Sequence, residues 1–463
     1  MLKRYIGDRA FYRRVLAVAV PIMIQSSITS FVSLLDNIMV GQVGTLQMSG
    51  VSIVNQLLMI FNLCMFGAVS GAGIYASQFH GSGDQKGVRY TFRFKLTVSL
   101  LLLVLGLGVL AVFGPQFIGL YLQGEQNGEN ASLTLGFGRE YLNVMLIGLI
   151  PFALSNVYSS TLRETGKTTV PMVAGITAVF VNLILNYILI LGKFGAPALG
   201  SKGAAIATVV ARFTELAIVA GWTHLKSHDH AYIRGAYRSL RVPMDLTKGI
   251  IVRGMPLLLN EFFWAVGMAW INQCYSTRGL DAIAAQNIAS TLIGFTSVAF
   301  AAMGNAVGIL MGQMLGAGAP EGEIRGENRK LIATSVFSGV LFACVALVFS
   351  GVFPDFYNTS EEIRILATHL IWVYAACMPL EAFNHSAFYT LRSGGEGMIV
   401  FLFDSIYAWV FAVPTALLAS RFTDLSIVPL YLVCQIPLLA RLTMGVVLIK
   451  KGSWIRNLVK KES

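Results

Sequence analysis

Four polar side chains follow one another at helical spacing in the first apolar stretch of the sequence, residues 15–41. They are Gln25, Thr29, Ser33 and Asp36, separated by four, four and three residues, so a helix presents them as one polar stripe. The stretch is long enough to span a membrane, and an ionisable side chain inside such a span faces protein or water rather than lipid. At 1.5 Å per residue, Asp36 lies about 28 Å along this helix. We expect its carboxylate to bind a cation or a proton in a lined cavity; the alternative is a carboxylate at the mouth of the helix.

Two further acidic residues, Glu261 and Glu381, lie inside later apolar stretches. If these stretches cross a bilayer in opposite directions, Glu261 lies roughly 13 Å and Glu381 roughly 9 Å from the same boundary of the hydrocarbon core. Two carboxylates at one depth on facing helices can bind a cation or share a proton. The alternative is that each carboxylate forms its own separate hydrogen bonds.

Four other charged residues within apolar stretches have structural interpretations. Arg212 and Glu215 are three residues apart, so we expect an ion pair on one helix face. Arg441 has no acidic residue three or four positions away, so we expect its side chain to extend to the membrane surface. Asp404 lies two turns into its stretch, so we expect it to face a cytoplasmic vestibule.

Two local patterns do not support a metal site or a nucleotide site. His224, His228 and His230 have a ligand-like spacing, but they lie in a basic segment without nearby cysteines or an acidic cluster. The run Gly-Lys-Thr at 166–168 lacks the earlier glycine of a phosphate-binding loop, because Thr161 stands at that position. We therefore predict no metal centre in that segment and no ATP site.

The composition places these residues in a membrane protein. The chain has 463 residues, of which 55% are hydrophobic and 12% are charged, with a mean hydropathy of +0.68. A soluble protein has about 25% charged residues, so the charges here are too few to coat large globular domains. The five cysteines lie singly in apolar stretches, which indicates neither a disulfide framework nor a metal site.

Twelve apolar stretches are long enough to cross a membrane as helices, since about 20 residues suffice. They are continuously apolar rather than alternating, which predicts helices and not a barrel. The predicted spans are 15–41, 48–78, 95–118, 137–157, 170–192, 200–223, 248–275, 284–314, 330–353, 365–389, 398–420 and 426–449.

The basic residues predict the orientation. If the N-terminus lies inside, 26 Lys and Arg residues fall on that side and 6 on the other. This bias predicts that both termini lie in the cytoplasm. It also explains the net charge of +11 by contact with anionic lipid headgroups, so we expect no nucleic-acid partner.

The sequence repeats itself. When its two halves are aligned without a gap from Pro21 and Pro256, identical residues recur as the pairs Asn37 and Asn272, Gly44 and Gly279, Gly73 and Gly308, Gln78 and Gln313, Gly81 and Gly316, and Gly83 and Gly318. Later in each half the register shifts slightly, and the identical pairs are Thr161 and Thr390, Leu162 and Leu391, Arg163 and Arg392, Gly166 and Gly395, and Arg212 and Arg441. Each repeat holds six spans, and an even number predicts two parallel lobes related by an axis along the membrane normal. We expect an N-lobe at 1–223, a cytoplasmic linker at 224–247 and a C-lobe at 248–463, in an all-α protein built for alternating access.

In these motifs the chain resembles the multidrug and toxic compound extrusion (MATE) transporters along nearly its whole length. The residues that carry the resemblance are Pro21, the run DNIMVG at 36–41, Gly73, the run GSGD at 81–84, Leu162, Arg163, Gly166 and the run GAAIAT at 203–208. The resemblance implies export of organic, often cationic and amphipathic, solutes in exchange for inward H⁺ or Na⁺.

The resemblance also implies roles for individual residues. Asp36 matches the main cation or proton site of the N-lobe, where its companions are Tyr141, Asn156, Asn182 and Thr208. Asn186 stands where the family has a second acid, which leaves one carboxylate in this site. Glu381 matches the family's acid on helix 10. The acid of helix 7 in some members falls at Trp264, one turn after Glu261, so Glu261 is a displaced match.

The sequence therefore predicts a secondary multidrug antiporter of a bacterial cytoplasmic membrane. We expect Gln25, Thr29, Ser33, Asn260 and Trp264 to line its substrate cavity. The predicted coupling residues are Asp36, Tyr141, Asn156, Asn182, Asn186, Thr208, Glu261 and Glu381. We expect no cofactor apart from the coupling ion, H⁺ or Na⁺, with any Na⁺ at Asp36. The expected partners are small organic substrates and membrane lipids, and we expect a monomer.

Two other functions compete with this one. A flippase for a lipid-linked precursor has a related two-lobe plan but needs several cations in its cavity, whereas the interior charges here are mostly acidic. A receptor or scaffold without transport activity gives no reason for the acidic residues inside the membrane or for the repeat.

Overall fold

The computed structural model of the protein describes residues 4–41, 44–122, 128–357 and 359–460, without the side chains of residues 33–38, 40, 41, 45, 128 and 280. Within these ranges the regular structure is entirely helical. The helices are α1 (Arg9–Gly41), α2 (Thr45–Gly81), α3 (Gln85–Tyr121), α4 (Gly128–Glu164), α5 (Thr169–Leu191), α6 (Gly200–Leu225), α7 (Met244–Ser276), α8 (Leu280–Gly316), α9 (Glu321–Phe349), α10 (Glu361–Ser393), α11 (Gly397–Phe401), α12 (Val413–Phe422), α13 (Ile427–Gln435) and α14 (Leu438–Lys451).

Twelve helical segments of the described chain are long and apolar enough to cross a membrane, as the sequence predicts. The eleventh runs from Gly397 to Phe422 and the twelfth from Ile427 to Lys451. Several helices are longer than a bilayer requires. For example, α2 has 37 residues, or about 55 Å, against a hydrocarbon core of about 30 Å. Such helices tilt or extend beyond the bilayer.

The chain forms two compact units. Unit 1 contains residues 1–23, 77–83 and 248–463, and unit 2 contains residues 24–76 and 84–247. The apolar core of unit 1 is built mainly from α7, α8, α10 and the last three helices, whereas that of unit 2 is built mainly from α2, α3, α4 and α6. Large apolar side chains such as Val104 and Phe337 are exposed on the outside, which suits contact with lipid.

Residues 224–247, predicted as a polar linker, are folded onto unit 2. Arg89 on α3 donates hydrogen bonds to the carbonyls of Tyr232 (3.0 Å) and Ala231 (3.1 Å). Arg93, one turn later, donates to the carbonyls of Ala236 and Gly235, both at 2.8 Å. Two arginines of one helix thus hold the backbone of this segment in place.

The backbone repeats where the sequence repeats. Gly83 and Gly318, which are partners in the repeat, both have a positive φ, 75° and 71°. Gly166 and Gly395, a second pair of repeat partners, have φ values of 78° and 76°. Side chains disfavour this left-handed conformation, so each pair marks the same turn in both repeats.

The ends of α2 and α8 meet inside unit 1 through reciprocal contacts. A Cβ atom added at Gly81 collides with the backbone carbonyl of Gln313, and one added at Gly316 collides with the carbonyl of Gln78. The two glycines are repeat partners, and so are the two glutamines. The close approach of the two backbones therefore explains why the Gln and Gly spacing recurs in both repeats.

A C-terminal strap, residues 452–460, covers this junction in unit 1. The Gln78 amide donates to the carbonyls of Ser393 (2.9 Å) and Arg456 (3.2 Å), and its oxygen accepts from the backbone N–H of Leu458 (2.7 Å). The Trp454 side chain is fully buried. Asn457 donates to the carbonyl of Gly316 (3.2 Å). The strap thus joins the ends of α2, α8 and α10.

The first residues of the chain also belong to unit 1. On α1, Arg14 lies 3.5 Å from Glu327 of α9, and the Phe11 ring lies 5.7 Å from the ammonium group of Lys330. Phe11 itself is 2% exposed. The start of α1 is therefore anchored on α9.

Candidate functional site

Four polar side chains form a buried network in unit 1, which we call the charge network: Asn260, Glu381, Asp404 and Arg441. Arg441, on α14, donates a hydrogen bond from Nη2 to Oδ1 of Asp404. Its Nη1 lies 3.7 Å from Oε2 of Glu381, on α10. The Oδ2 atom of Asp404 accepts from the amide of Asn260, on α7, at 2.9 Å. Four helical segments thus each contribute one polar group to a single cluster.

The backbone around Asp404 is unusual. The segments Leu402–Ile406 and Ala408–Ala412, between α11 and α12, are π-helical. Such wide turns are rare and are found most often at functional sites. Here the neighbouring side chains of Asp404 and Ser405 both reach Asn260, since the hydroxyl of Ser405 donates to Oδ1 of Asn260 at 2.8 Å.

Aromatic rings enclose the cation of the network. The guanidinium of Arg441 lies 5.2 Å from the ring centre of Phe403 and 5.3 Å from that of Tyr407. The side chain of Arg441 is only 9% exposed, and that of Asp404 is also 9% exposed. A cation over aromatic faces gains electrostatic energy, and the gain is larger where water is excluded.

The structure corrects two predictions for these residues. The sequence predicts that Arg441 extends to the membrane surface and that Asp404 faces a vestibule; instead they are buried and paired. The sequence leaves open whether Glu381 pairs with Glu261 or forms separate contacts, and in the structure Glu381 shares the cation of Asp404. The errors have one cause: the predictions seek partners within one helix or by estimated depth, whereas Asp404 and Arg441 are 37 residues apart on different helices.

Asn260 belongs to the charge network, and the other C-terminal candidates, Glu261 and Trp264, follow it on α7; the three differ in exposure. Asn260 is 1% exposed, and its amide is used by Asp404 and Ser405. Glu261 is partly buried and makes no ion pair within the described part of the chain. Trp264 is 45% exposed. The roles of these three residues in coupling or in a substrate cavity stay predictions.

In unit 2, three of the predicted N-lobe residues form a hydrogen-bonded chain across α5 and α6. The amide of Asn186 donates to Oδ1 of Asn182 at 3.1 Å, and the amide of Asn182 donates to the hydroxyl of Thr208 at 3.3 Å. Thr208 in turn donates to the carbonyl of Ala204. Asn182 and Asn186 are 6% and 1% exposed. The structure therefore brings these three predicted companions together.

The two predicted companions on α4 have other contacts. The hydroxyl of Tyr141 donates to the side-chain oxygen of Asn55 at 3.3 Å, and Tyr141 is buried. The amide of Asn156 donates to the carbonyl of Phe152 on its own helix at 3.0 Å. Asn55 was not among the predicted site residues, because an isolated amide in an apolar stretch carries no distinctive spacing.

The polar stripe of α1 is described only in part. Gln25 accepts a hydrogen bond from Arg163 of α4 at 2.8 Å, and Thr29 donates to the carbonyl of Gln25 at 2.8 Å. The side chains of Ser33 and Asp36 lie outside the described residues, although both positions lie within α1. The predicted roles of Asp36 and of its companions stay predictions.

Two further cations of unit 2 have buried partners. Lys95, whose side chain is fully buried, forms an ion pair with Glu164 and donates to the hydroxyl of Ser160 at 3.1 Å. Arg212 donates to the carbonyl of Gly148 at 3.3 Å, and its guanidinium lies 4.8 Å from the ring centre of Phe152.

Arg212 and Glu215 do not form the expected close ion pair, although their charges still interact electrostatically. Both residues are within the described chain, and their charged groups do not come within 4 Å of each other. The guanidinium of Arg212 instead contacts the Gly148 carbonyl and the Phe152 ring of α4.

Comparisons with known proteins agree with this architecture. The MatE family model matches residues 21–188 and 256–418, and the two matches begin at the aligned prolines of the repeat. The chain is 23% identical to a probable multidrug resistance protein NorM of Thermotoga maritima over 456 residues, covering 96% of this chain and 94% of that protein. It is 25% identical to the multidrug resistance protein MdtK of Yersinia enterocolitica over 428 residues, covering 90% and 89%.

The fold is similar to solved MATE structures. A crystal structure of a mutant of the Vibrio cholerae MATE transporter VcmN superimposes with a TM-score of 0.85 at 18% identity, covering 96% of this chain and 97% of that one. Because the family model matches most of the chain, the protein belongs to the MatE family of multidrug efflux transporters, and it is a transporter rather than an enzyme.

Proposed function

We propose that this protein exports organic, cationic and amphipathic compounds in exchange for H⁺ or Na⁺ by alternating access. The observation that supports an ion-coupled mechanism best is the buried charge network. Carboxylates inside membrane spans are unfavourable unless they are paired or used, and here Asp404 and Glu381 share one guanidinium. With both acids ionised the network carries one net negative charge, which a coupling cation can neutralise.

The balance of interior charges favours cationic substrates over anionic ones. Lys95 and Arg441 are each engaged by carboxylates, and the guanidinium of Arg212 lies over the Phe152 ring. Glu261 makes no ion pair within the described chain. A flippase for a diphosphate-linked precursor needs unneutralised cations in its cavity. An acidic interior instead attracts organic cations, and exposed aromatic side chains such as Trp264 can bind them through their faces.

We assign Asp36 as the principal coupling carboxylate of the N-lobe. The hydrogen-bonded chain from Asn186 through Asn182 to Thr208 supports this assignment, because it gathers the predicted companions of Asp36 on α5 and α6. Protonation or cation binding at Asp36 would then favour one arrangement of the lobes. Pro21 removes a backbone hydrogen bond from α1 and gives the helix a point at which it can bend.

We further propose a cytoplasmic membrane location with both termini in the cytoplasm, lobes that follow the repeat at 1–223 and 248–463, and a monomer. The strong excess of basic residues on the side that holds the termini supports the orientation. The bacterial origin of the relatives supports the location.

Transport in proteoliposomes tests the proposal. We expect efflux of a cationic dye when a proton or a sodium gradient is imposed, and at least a tenfold loss in Asp36→Asn, since uncharged asparagine cannot take up the ion. The matched control is Asp245→Asn, an exposed aspartate in the first turn of α7, which should transport normally. Full dye efflux by Asp36→Asn, or counterflow of a lipid-linked diphosphate in place of the dye, would contradict the proposal.

A further inference from the structure

The charge network of unit 1 contains its own cation. We propose that Arg441 determines the choice of coupling ion in this unit: its guanidinium occupies the position between Asp404 and Glu381 that a sodium ion would need, so these carboxylates exchange a proton and do not bind Na⁺. The inference rests on the proposed function, in which carboxylates of the spans take up the coupling ion, and it names that ion for unit 1.

Both carboxylate oxygens of Asp404 accept hydrogen bonds from nitrogen donors. Its Oδ1 accepts from Arg441, and its Oδ2 accepts from the amide of Asn260. A hard cation in a protein site needs several oxygen atoms whose lone pairs converge on it. The guanidinium and the Asn260 amide instead present N–H groups to Asp404, and a guanidinium stays protonated in proteins. Asp404 and Arg441 therefore form a buried, directly hydrogen-bonded ion pair.

Glu381 is attached more loosely. Its Oε2 lies 3.7 Å from Nη1 of Arg441, which is beyond hydrogen-bond distance, and its side chain is 19% exposed against 9% for Asp404. A proton needs only one lone pair of this carboxylate and no further ligands. A sodium ion at Glu381 would lie beside the guanidinium, where like charges repel strongly in a medium of low dielectric constant. Glu381 is therefore the carboxylate that gains and loses the proton.

Other titratable groups surround the network on every packed helix. Those close enough to interact electrostatically with Asp404 or Glu381 are Glu261 on α7, Tyr374, Cys377 and His385 on α10, Tyr407 between α11 and α12, and Tyr431 on α13. Within the described residues, Arg441 is the one cation that forms an ion pair with either carboxylate. These neighbours modulate the proton affinity of Glu381, but they supply no second cation.

The consequence for ion choice can be measured on the purified full-length protein without any substrate. All variants are compared in an Asp36→Asn background, which removes the proposed N-lobe ion site. In this background the thermal midpoint in detergent should stay unchanged when choline chloride is replaced by sodium chloride at fixed pH and ionic strength. In Arg441→Gln the two carboxylates lose their cation, so sodium should raise the midpoint by a few degrees, as a ligand specific to the folded state does. Arg441→Lys keeps a cation in the network and should again show no response to sodium.

A second measurement does not depend on the folding of the Arg441 variants. The protons released per molecule between pH 5 and pH 9, followed with an indicator dye, should fall by about one in Glu381→Gln relative to the wild type, since one carboxyl group no longer titrates. In Asp404→Asn the count should not change, because the inference places the exchanged proton on Glu381 and leaves Asp404 bonded to Arg441. An unchanged count in Glu381→Gln would overturn the inference.

Sodium stabilisation of the wild type that disappears in Glu381→Gln would also overturn it, as would a folded Arg441→Gln that ignores sodium. These failures can be told apart from failure of the proposed function. If the wild type moves no dye under any gradient, the proposed function fails while both detergent measurements still report on the network. If it moves dye and is stabilised by sodium at Glu381, the proposed function stands and only the ion assignment falls.

Discussion

Arg441 and Glu381 lie 3.7 Å apart, and the residues at the same positions of the first repeat, Arg212 and Phe152, are also in contact. The same two positions of each repeat thus meet, once as an ion pair and once as a cation over an aromatic ring. In unit 1 this contact joins two charged groups, whereas in unit 2 it joins a charged group to an apolar ring.

A second pair of equivalent positions also lies close together in both units. In unit 2 a Cβ atom added at Gly175 would lie 2.6 Å from the amide nitrogen of Gln25. The corresponding residues in unit 1 are Asp404 and Asn260, which form a hydrogen bond. Both repeats therefore carry the arginine, but only the second carries the two carboxylates around it. We conclude that one helical scaffold holds two sites of different charge.

The buried pair of Asp404 and Arg441 should dominate the stability of unit 1. Arg441→Met leaves a carboxylate buried without its partner, which should lower the free energy of unfolding by about 3–5 kcal/mol. Removing both charges in Arg441→Met with Asp404→Leu should recover most of that loss, because no unpaired charge remains. Denaturant unfolding of the purified protein measures both effects.

The control for these variants is Arg139→Met, which alters an exposed arginine and should change the free energy of unfolding by less than about 0.5 kcal/mol. Equal losses in the single and the double variant would show that the pair is not energetically coupled.

The C-terminal strap should loosen when Gln78 is shortened. Gln78→Ala leaves the N–H of Leu458 and the carbonyls of Ser393 and Arg456 without this partner, at a cost of about 1–3 kcal/mol. Hydrogen exchange of residues 452–460 should then be faster. Gln273→Ala, an exposed position on α7, is the control. Unchanged protection of Leu458 in Gln78→Ala would count against the strap.

The folded linker should make the stability of unit 2 sensitive to pH. Burial lowers the pKa of the His230 imidazole, and the nearby charge of Lys167 lowers it further. Below an unfolded-state pKa of about 6.5 the unfolded chain binds more protons at this residue than the folded one, so stability should fall as the pH drops from 7 to 5. The thermal midpoint of the wild type should decrease over this range, and that of His230→Gln should decrease less.

His228→Gln is the matched control, because His228 lies two residues earlier, is less buried than His230 and should leave the pH dependence unchanged. If His230→Gln and the wild type respond identically to pH, the imidazole is not the group responsible.

The sequence predicts the helices and the repeat well, because both depend on local composition and spacing. Twelve long apolar stretches determine twelve spans, and glycines such as Gly83 and Gly318 recur because the backbone requires a left-handed turn at the same place. The gathering of Asn182, Asn186 and Thr208 followed from the family resemblance, and the structure shows the contacts that join them.

The charge network could not be predicted in the same way. Its members come from α7, α10, α14 and the π-helical segment after α11, and a π-helical turn changes which side chains share a face. Spacing rules for ordinary helices therefore misplace Asp404, and no rule of sequence distance links it to Arg441. Lys95 and Glu164 were missed for the same reason, since α3 and α4 bring them together across 69 residues.

Unit 1 also constrains how the molecule is made. It joins the start of α1, whose Arg14 and Phe11 contact α9, to the strap, whose Leu458 N–H donates to Gln78, although the two are far apart in the sequence. The nascent N-terminal helix must therefore wait in the bilayer for partners that are made only in the second repeat. This half of the protein can therefore assemble only after the second repeat has entered the membrane.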